Sequence, residues 1–180
     1  MKRYYITDRR GCHDVVACIE RAVLSGVDYI QVREKDLSGR ELLALTRRAL
    51  ELARGSRTRI LVNGRVDVAM AAGAHGVHLP SGSVLPERWR RVVADGFVIA
   101  VSCHSIEEFG EVDAADFAVF GPVYGSPGKG PAVGVDGLRA AVQVSPVPVF
   151  ALGGVDEWNA GACMEAGAEG IAAIRMFQRD

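Results

Sequence analysis

Short runs rich in Val, Ile and Phe recur roughly every 22 residues along the chain, a serial period that marks βα units. They fall at residues 3–7, 29–34, 60–63, 76–79, 97–102, 117–123, 147–152 and 170–177. Their unbroken apolar character suits strands covered on both faces, as in a parallel sheet. The intervening segments read as helices, at 14–24, 38–54, 66–72, 86–94, 106–114, 135–142 and 156–166. The clearest is 38–54, where Ser38 and Glu41 form a capping box and Leu42, Leu43, Leu45, Leu50 and Leu52 make an apolar face. Gly26, Gly73 and Gly167 stand where a left-handed residue closes a helix. Eight strands joined by right-handed helical crossovers close into a barrel, whereas an open doubly wound sheet usually has five or six. The expectation is a single α/β domain over residues 1–180, a compact (β/α)8 TIM barrel. It is shorter than the ~250 residues usual for the fold, and it lacks the final outer helix.

Composition narrows the partners. The chain has 180 residues, 49% hydrophobic and 24% charged, with 21 basic and 22 acidic residues for a net charge of −1. That balance disfavours nucleic acid, which attracts a basic surface. No apolar run reaches the ~18 residues of a membrane span. The N-terminal MKRYYITDRRGCHD has no long apolar stretch and so does not read as a secretory signal. Cys12, Cys18, Cys103 and Cys163 form no C-x-x-C pair and fit reduced thiols, so the expected location is cytoplasmic.

A barrel of this kind carries its chemistry at the C-terminal strand ends. On the second strand, alternation puts Gln31, Arg33 and Lys35 on one side and Glu34 on the other. Arg33 supplies a fork and Lys35 a point charge, a pair suited to phosphate or carboxylate. The loop after strand six, GPVYGSPGKGPAVG, brings Lys129 within a run of glycines and reads as a substrate lid. Gly153 and Gly154 end strand seven, where missing Cβ atoms let backbone amides approach a phosphate. His104, just past strand five beside Ser102, is the candidate general acid/base because an imidazole titrates near neutrality. His78 on strand four stands behind it. His13 and His75 read as solvated, Arg88, Arg90 and Arg91 as a solvated helix face, and Trp89 and Trp158 as packing residues on outer helices.

In register across the eight units, YYITDRR, IQVREKD, LVNGRVDVAMAAGAHGVHLPSGS, VSCHSIEE, FGPVYGSPGKG, VFALGGV and GAEGIAAI resemble the thiamin phosphate synthase and TenI-like thiazole tautomerase superfamily of small barrels. The synthase joins a pyrimidine diphosphate to a thiazole phosphate, with magnesium neutralising the departing pyrophosphate. Carried over, the resemblance implies pyrimidine and pyrophosphate contacts at Gln31, Arg33 and Lys35. Asn63, Ser102, His104 and Lys129 also fall on matching positions. The synthase's two aspartates are replaced by Gly64, at the end of strand three, and Ser83, after strand four. Magnesium favours carboxylate oxygens.

The stretches from Asn63 to Asp67 and from Leu79 to Ser83 resemble the tautomerase branch instead. That resemblance implies an isomerase that aromatises a carboxythiazole phosphate by proton transfer, with no metal and no cofactor. Where the branch can carry a His, this chain has Pro122, so His104, then His78, becomes the proton shuttle. The alternatives are a thiamin phosphate synthase with an altered metal site and a non-catalytic barrel that binds thiazole or thiamin phosphate. Each of the three implies a small-molecule phosphate ligand. The missing outer helix would leave the strand at 170–177 uncovered, and an uncovered apolar strand implies a homodimer.

Overall fold

The computed structural model describes residues 1–125, 128 and 130–178. Its eight strands are β1 (Lys2–Ile6), β2 (Tyr29–Val32), β3 (Arg59–Asn63), β4 (Gly76–Leu79), β5 (Val98–Cys103), β6 (Phe117–Phe120), β7 (Val149–Leu152) and β8 (Gly170–Ala173). All neighbours pair in parallel and in chain order, and β8 returns to β1, from Lys2↔Gly170 to Tyr5↔Ala173, closing the barrel. Six α-helices lie outside among the described residues: α1 (Val15–Leu24), α2 (Gly39–Leu52), α3 (Val66–Ala72), α4 (Pro86–Arg90), α5 (Gly134–Val144) and α6 (Ala160–Glu165). Asp14 caps α1 by accepting from the Val16 and Ala17 amides, and the Ser38–Glu41 box opens α2 as its spacing predicts. Gly26, Gly73 and Gly167 all adopt positive φ after their helices.

Strand alternation sorts the core into an inside and an outside. Tyr4, Tyr29, Phe117 and Phe150 point inward and pack edge and face, with Phe117–Phe150 and Tyr29–Phe117 centroids 4.7 and 4.9 Å apart. Leu61, Val98, Ala100, Val119 and Ala172 fill the interior around them. Each fully buried ring contributes about 1.5–3 kcal/mol of apolar burial, so this layer makes a solid floor beneath the C-terminal mouth. Outward-facing Tyr5, Ile30, Ile60 and Val62 pack beneath α1 and α2, and Val77, Ile99, Ala118 and Ile171 pack beneath the remaining outer segments.

Several elements depart from expectation. Residues 106–114 form a 3-10 turn (Glu107–Glu111) rather than an α-helix. Gly110 weakens an α-helix there, and Phe109 and Val112, three residues apart, are the buried pair. The β2 ladder stops at Val32, because the Arg33 amide donates to Thr7 Oγ1 at 2.9 Å. β6 and β8 are shorter than expected, and residues 175–177 form a second kind of cover, a 3-10 turn. Trp158 is not a packing residue: it is 92% exposed on the turn before α6. Arg90 is not simply solvated, since it bridges the Ala114 and Phe97 carbonyls and Asp116.

The seam beside β8 is closed within the chain. Phe177 packs on Tyr5 with centroids 5.6 Å apart. Gln178 Nε2 donates to Tyr5 Oη at 3.2 Å and to the Asp8 carbonyl at 2.9 Å. All four β8 residues are buried. The surface that motivated a homodimer is therefore covered without a partner.

Candidate functional site

A cavity of about 1150 Å³ opens at the C-terminal mouth of the barrel. Gln31, Arg33, Lys35, Asn63, His78, Ser102, His104, Gly153 and Gly154 all line it. Every described residue named from sequence as a site candidate thus converges on one space. Lys129 lies outside the described residues, although Gly128, Gly130 and Pro131 of its loop reach the cavity wall.

Just above the aromatic floor runs a buried polar layer. Gln31 Nε2 donates to Tyr4 Oη at 3.1 Å, Tyr4 Oη lies 3.0 Å from His78 Nδ1, and His78 Nε2 lies 2.8 Å from Ser102 Oγ. Burial drives the Tyr4 phenol far above its ordinary range, so it keeps its proton. Having accepted from Gln31, that O–H donates to His78 Nδ1, which leaves His78 Nε2–H to donate to Ser102 Oγ. Burial, then the nearby Arg33 charge, pushes the His78 imidazolium down to about 3 from 6.5. At neutral pH His78 is an uncharged ring with both nitrogens engaged, which fits a positioning part better than a proton shuttle. Tyr4 was missed in the sequence reading; its only signal there was the strand alternation that turns it inward with Ile6.

The folded state holds His78 neutral, while an unfolded His78 takes up a proton below pH 6.5. The unfolded state thus binds more protons between about 3 and 6.5, and stability falls as pH drops through that window by up to about 1.4 kcal/mol per pH unit. Denaturant titrations at pH 7 and pH 5 are expected to show a smaller loss for His78→Gln than for the parent chain. Equal losses would remove His78 as the cause.

His104 occupies a different setting. Its Nδ1 lies 2.8 Å from the Gly121 carbonyl, which can only accept, so Nδ1 carries the proton and Nε2 keeps a lone pair in the neutral ring. Its amide donates to Glu108 Oε2 at 2.8 Å, and Ser81 Oγ donates to Glu108 Oε1 at 3.0 Å. Glu108 therefore ties the loop after β4 to the loop after β5. The sequence reading did not find it, because its partners come from two separate units.

The cationic edge is the end of β2. Arg33 and Lys35 face the cavity, while Glu34 turns away, buried, and accepts the Arg9 amide on both oxygens at 3.1 and 3.2 Å. Three strand positions round the barrel, β7 ends in a second edge suited to an anion. Gly153 has φ +97°, and a Cβ there would lie 2.5 Å from Pro122 Cα. The Gly153 and Gly154 amides donate to nothing among the described residues, and neither does that of Arg175 after β8. Together they form a cradle of amides suited to a phosphate.

The chain is similar to proteins of one named family. The family model described as thiamine monophosphate synthase matches residues 3–177. A thiamine-phosphate synthase of Roseiflexus castenholzii is 33% identical across 95% of this chain and 78% of its own length. A Geobacter sulfurreducens protein, provisionally given the same synthase name, is 44% identical over 98% of this chain and 86% of its own. Thiamine phosphate pyrophosphorylase of Pyrococcus furiosus superposes with a TM-score of 0.86 and 33% identity, over 96% of this chain and 85% of that one. These relatives overturn the isomerase reading, which rested on short stretches after β3 and β4: across the whole chain the similarity is to proteins named as synthases. On a match that runs from β1 to the last described turn, the chain belongs to the thiamine monophosphate synthase family.

Proposed function

We propose that this chain is a transferase that couples a pyrimidine bearing a diphosphate to a thiazole phosphate, forming thiamin phosphate and releasing diphosphate. The observation that carries the reading is the pair of anion-holding edges in one cavity, the Arg33–Lys35 end of β2 and the amides after β7 and β8. A joining reaction brings two anionic substrates together, and the two edges give each its own anchor.

In the proposed reaction the thiazole ring nitrogen attacks the methylene of the pyrimidine. The bond from that carbon to the diphosphate oxygen breaks, and the electron pair leaves with diphosphate. No proton moves at the reacting atoms. The protein therefore contributes chiefly orientation and charge. The Gly153–Gly154 amides hold the thiazole phosphate, Arg33 and Lys35 face the diphosphate, and Gln31 and Ser102 set the pyrimidine plane. His104 offers its Nε2 lone pair as a hydrogen-bond acceptor. The family resemblance brings a magnesium ion with it, but the residues after β3 and β4 do not fit one: Gly64 and Ser83 carry no ligating carboxylate. No step here runs through a metal.

The test is product identification by mass spectrometry after incubating the purified protein with both substrates. Thiamin phosphate and diphosphate in equal amounts are the expected result. Their absence with both substrates bound would overturn the reading.

A further inference from the structure

The region where a divalent cation would have to sit is built for something else. Gly64 takes φ +67°, and its Cα faces the Pro80 ring, with 3.6 Å from a Cβ position to Pro80 Cγ and Cδ. The Gly64 amide donates to the His78 carbonyl at 2.8 Å, which locks this turn against the end of β4. The next residue is a cation, Arg65, held bidentately by Asp67 at 2.6 and 2.8 Å.

The nearby acids accept local hydrogen bonds and stand apart from one another. Glu108 accepts from Ser81 and from the His104 amide. Asp8 accepts the Arg10 amide, and Asp156 accepts the Trp158 and Asn159 amides, on opposite flanks of β8. Among the described residues no three His, Cys, Asp or Glu side chains group closely enough to hold a metal ion. A magnesium site needs oxygen ligands in near-octahedral array, usually with one or two carboxylates. An apolar proline ring and a paired arginine offer none.

We infer that this chain builds no divalent-cation site at its mouth and meets the charge of a diphosphate group with the Arg33 and Lys35 side chains instead. The inference deepens the coupling reading and rests on it for the identity of the diphosphate as leaving group. In the reaction above, the electron pair of the broken carbon–oxygen bond stays on diphosphate. Arg33 can hold two of its oxygens through a planar fork, and Lys35 adds a second positive charge. Two side-chain cations act on the leaving group without an ion that must be acquired first.

Two binding measurements decide it without reference to activity. In a titration of the substrate-free protein with Mn²⁺ followed by electron paramagnetic resonance, no bound ion is expected up to millimolar concentration. A stoichiometric bound signal would overturn the inference. In calorimetric titration with inorganic diphosphate, the Kd is expected to agree within about threefold between EDTA and excess Mg²⁺ and to weaken at least tenfold in Arg33→Gln. A tenfold tightening by Mg²⁺, or an unchanged Kd in Arg33→Gln, would overturn it. If the protein forms no thiamin phosphate under any condition, the coupling reading fails, and these two measurements still decide the metal question.

Discussion

Arg33→Ala is expected to lower kcat/KM for coupling by about 10²–10³-fold, with most of the loss in KM for the pyrimidine diphosphate. A bidentate pair of charge-assisted hydrogen bonds to an anion is worth about 3–4 kcal/mol, and each 1.36 kcal/mol is tenfold in rate. The fold tolerates the change. The Arg33 backbone amide is what ties β2 to Thr7, at 2.9 Å, and alanine keeps it. The side chain itself is only half-buried at the cavity edge. Arg33→Lys keeps the charge and loses the fork, so it should fall between the two. Steady-state kinetics with each substrate varied in turn give the comparison. An Arg33→Ala enzyme with parental kcat/KM would place the diphosphate elsewhere.

Gly153→Ala is expected to cost about 3 kcal/mol or more of stability and to abolish anchoring of the thiazole phosphate. Alanine is strained at φ +97°, and its Cβ would sit 2.5 Å from both Cα and Cβ of Pro122. Backbone has to move, and the backbone that moves carries the amide cradle. Gly161→Ala in α6 is the control: nothing lies within 4 Å of its Cβ position, and its φ is not positive. That substitution should be neutral or stabilise by about 0.4–1 kcal/mol. Parallel denaturant melts separate the two. A Gly153→Ala protein as stable as the parent would show that the β6 and β7 loops yield easily and do not form a rigid wall.

Much of this architecture can be read along the chain because a serial βα barrel is local. Each strand pairs with the next in sequence, so the pattern that identifies a strand also locates it in the sheet. The rim candidates Gln31, Arg33, His78, Ser102, His104 and Gly153 follow from that regularity, since each stands beyond the end of its own strand or one residue before it. What resists reading is whatever depends on closure. Tyr4 meets His78 across 74 residues of chain, and Gln178 meets Tyr5 across 173. Neither contact leaves a periodic trace. The seam beside β8 looks open for the same reason, because Phe177 reads as more strand when its true neighbour is Tyr5. The choice between synthase and isomerase failed differently. Gly64 and Ser83 lack the carboxylates of the synthase pattern, and that lack does not by itself select a reaction.

The buried layer above the floor has an arrow. With the Gln31 amide placed as a donor, Gln31 gives to Tyr4, Tyr4 to His78 and His78 to Ser102, and reversing the run takes the other neutral tautomer of His78 together with a turned Gln31 amide. Ser102 receives at its oxygen, so its own hydrogen can turn to the cavity. The ligand atom opposite must then bring a lone pair. A heterocycle that presents ring nitrogen satisfies it, and an isostere with C–H at that place confronts a donor with a donor. Sites that hydrogen-bond their substrate in this way can reject the analogue lacking the partner by about 10⁴-fold, because the buried polar group is left stranded. On the proposed coupling, four side chains on strands one, two, four and five would then filter ring chemistry together, and two of them, Tyr4 and His78, need not touch the ring.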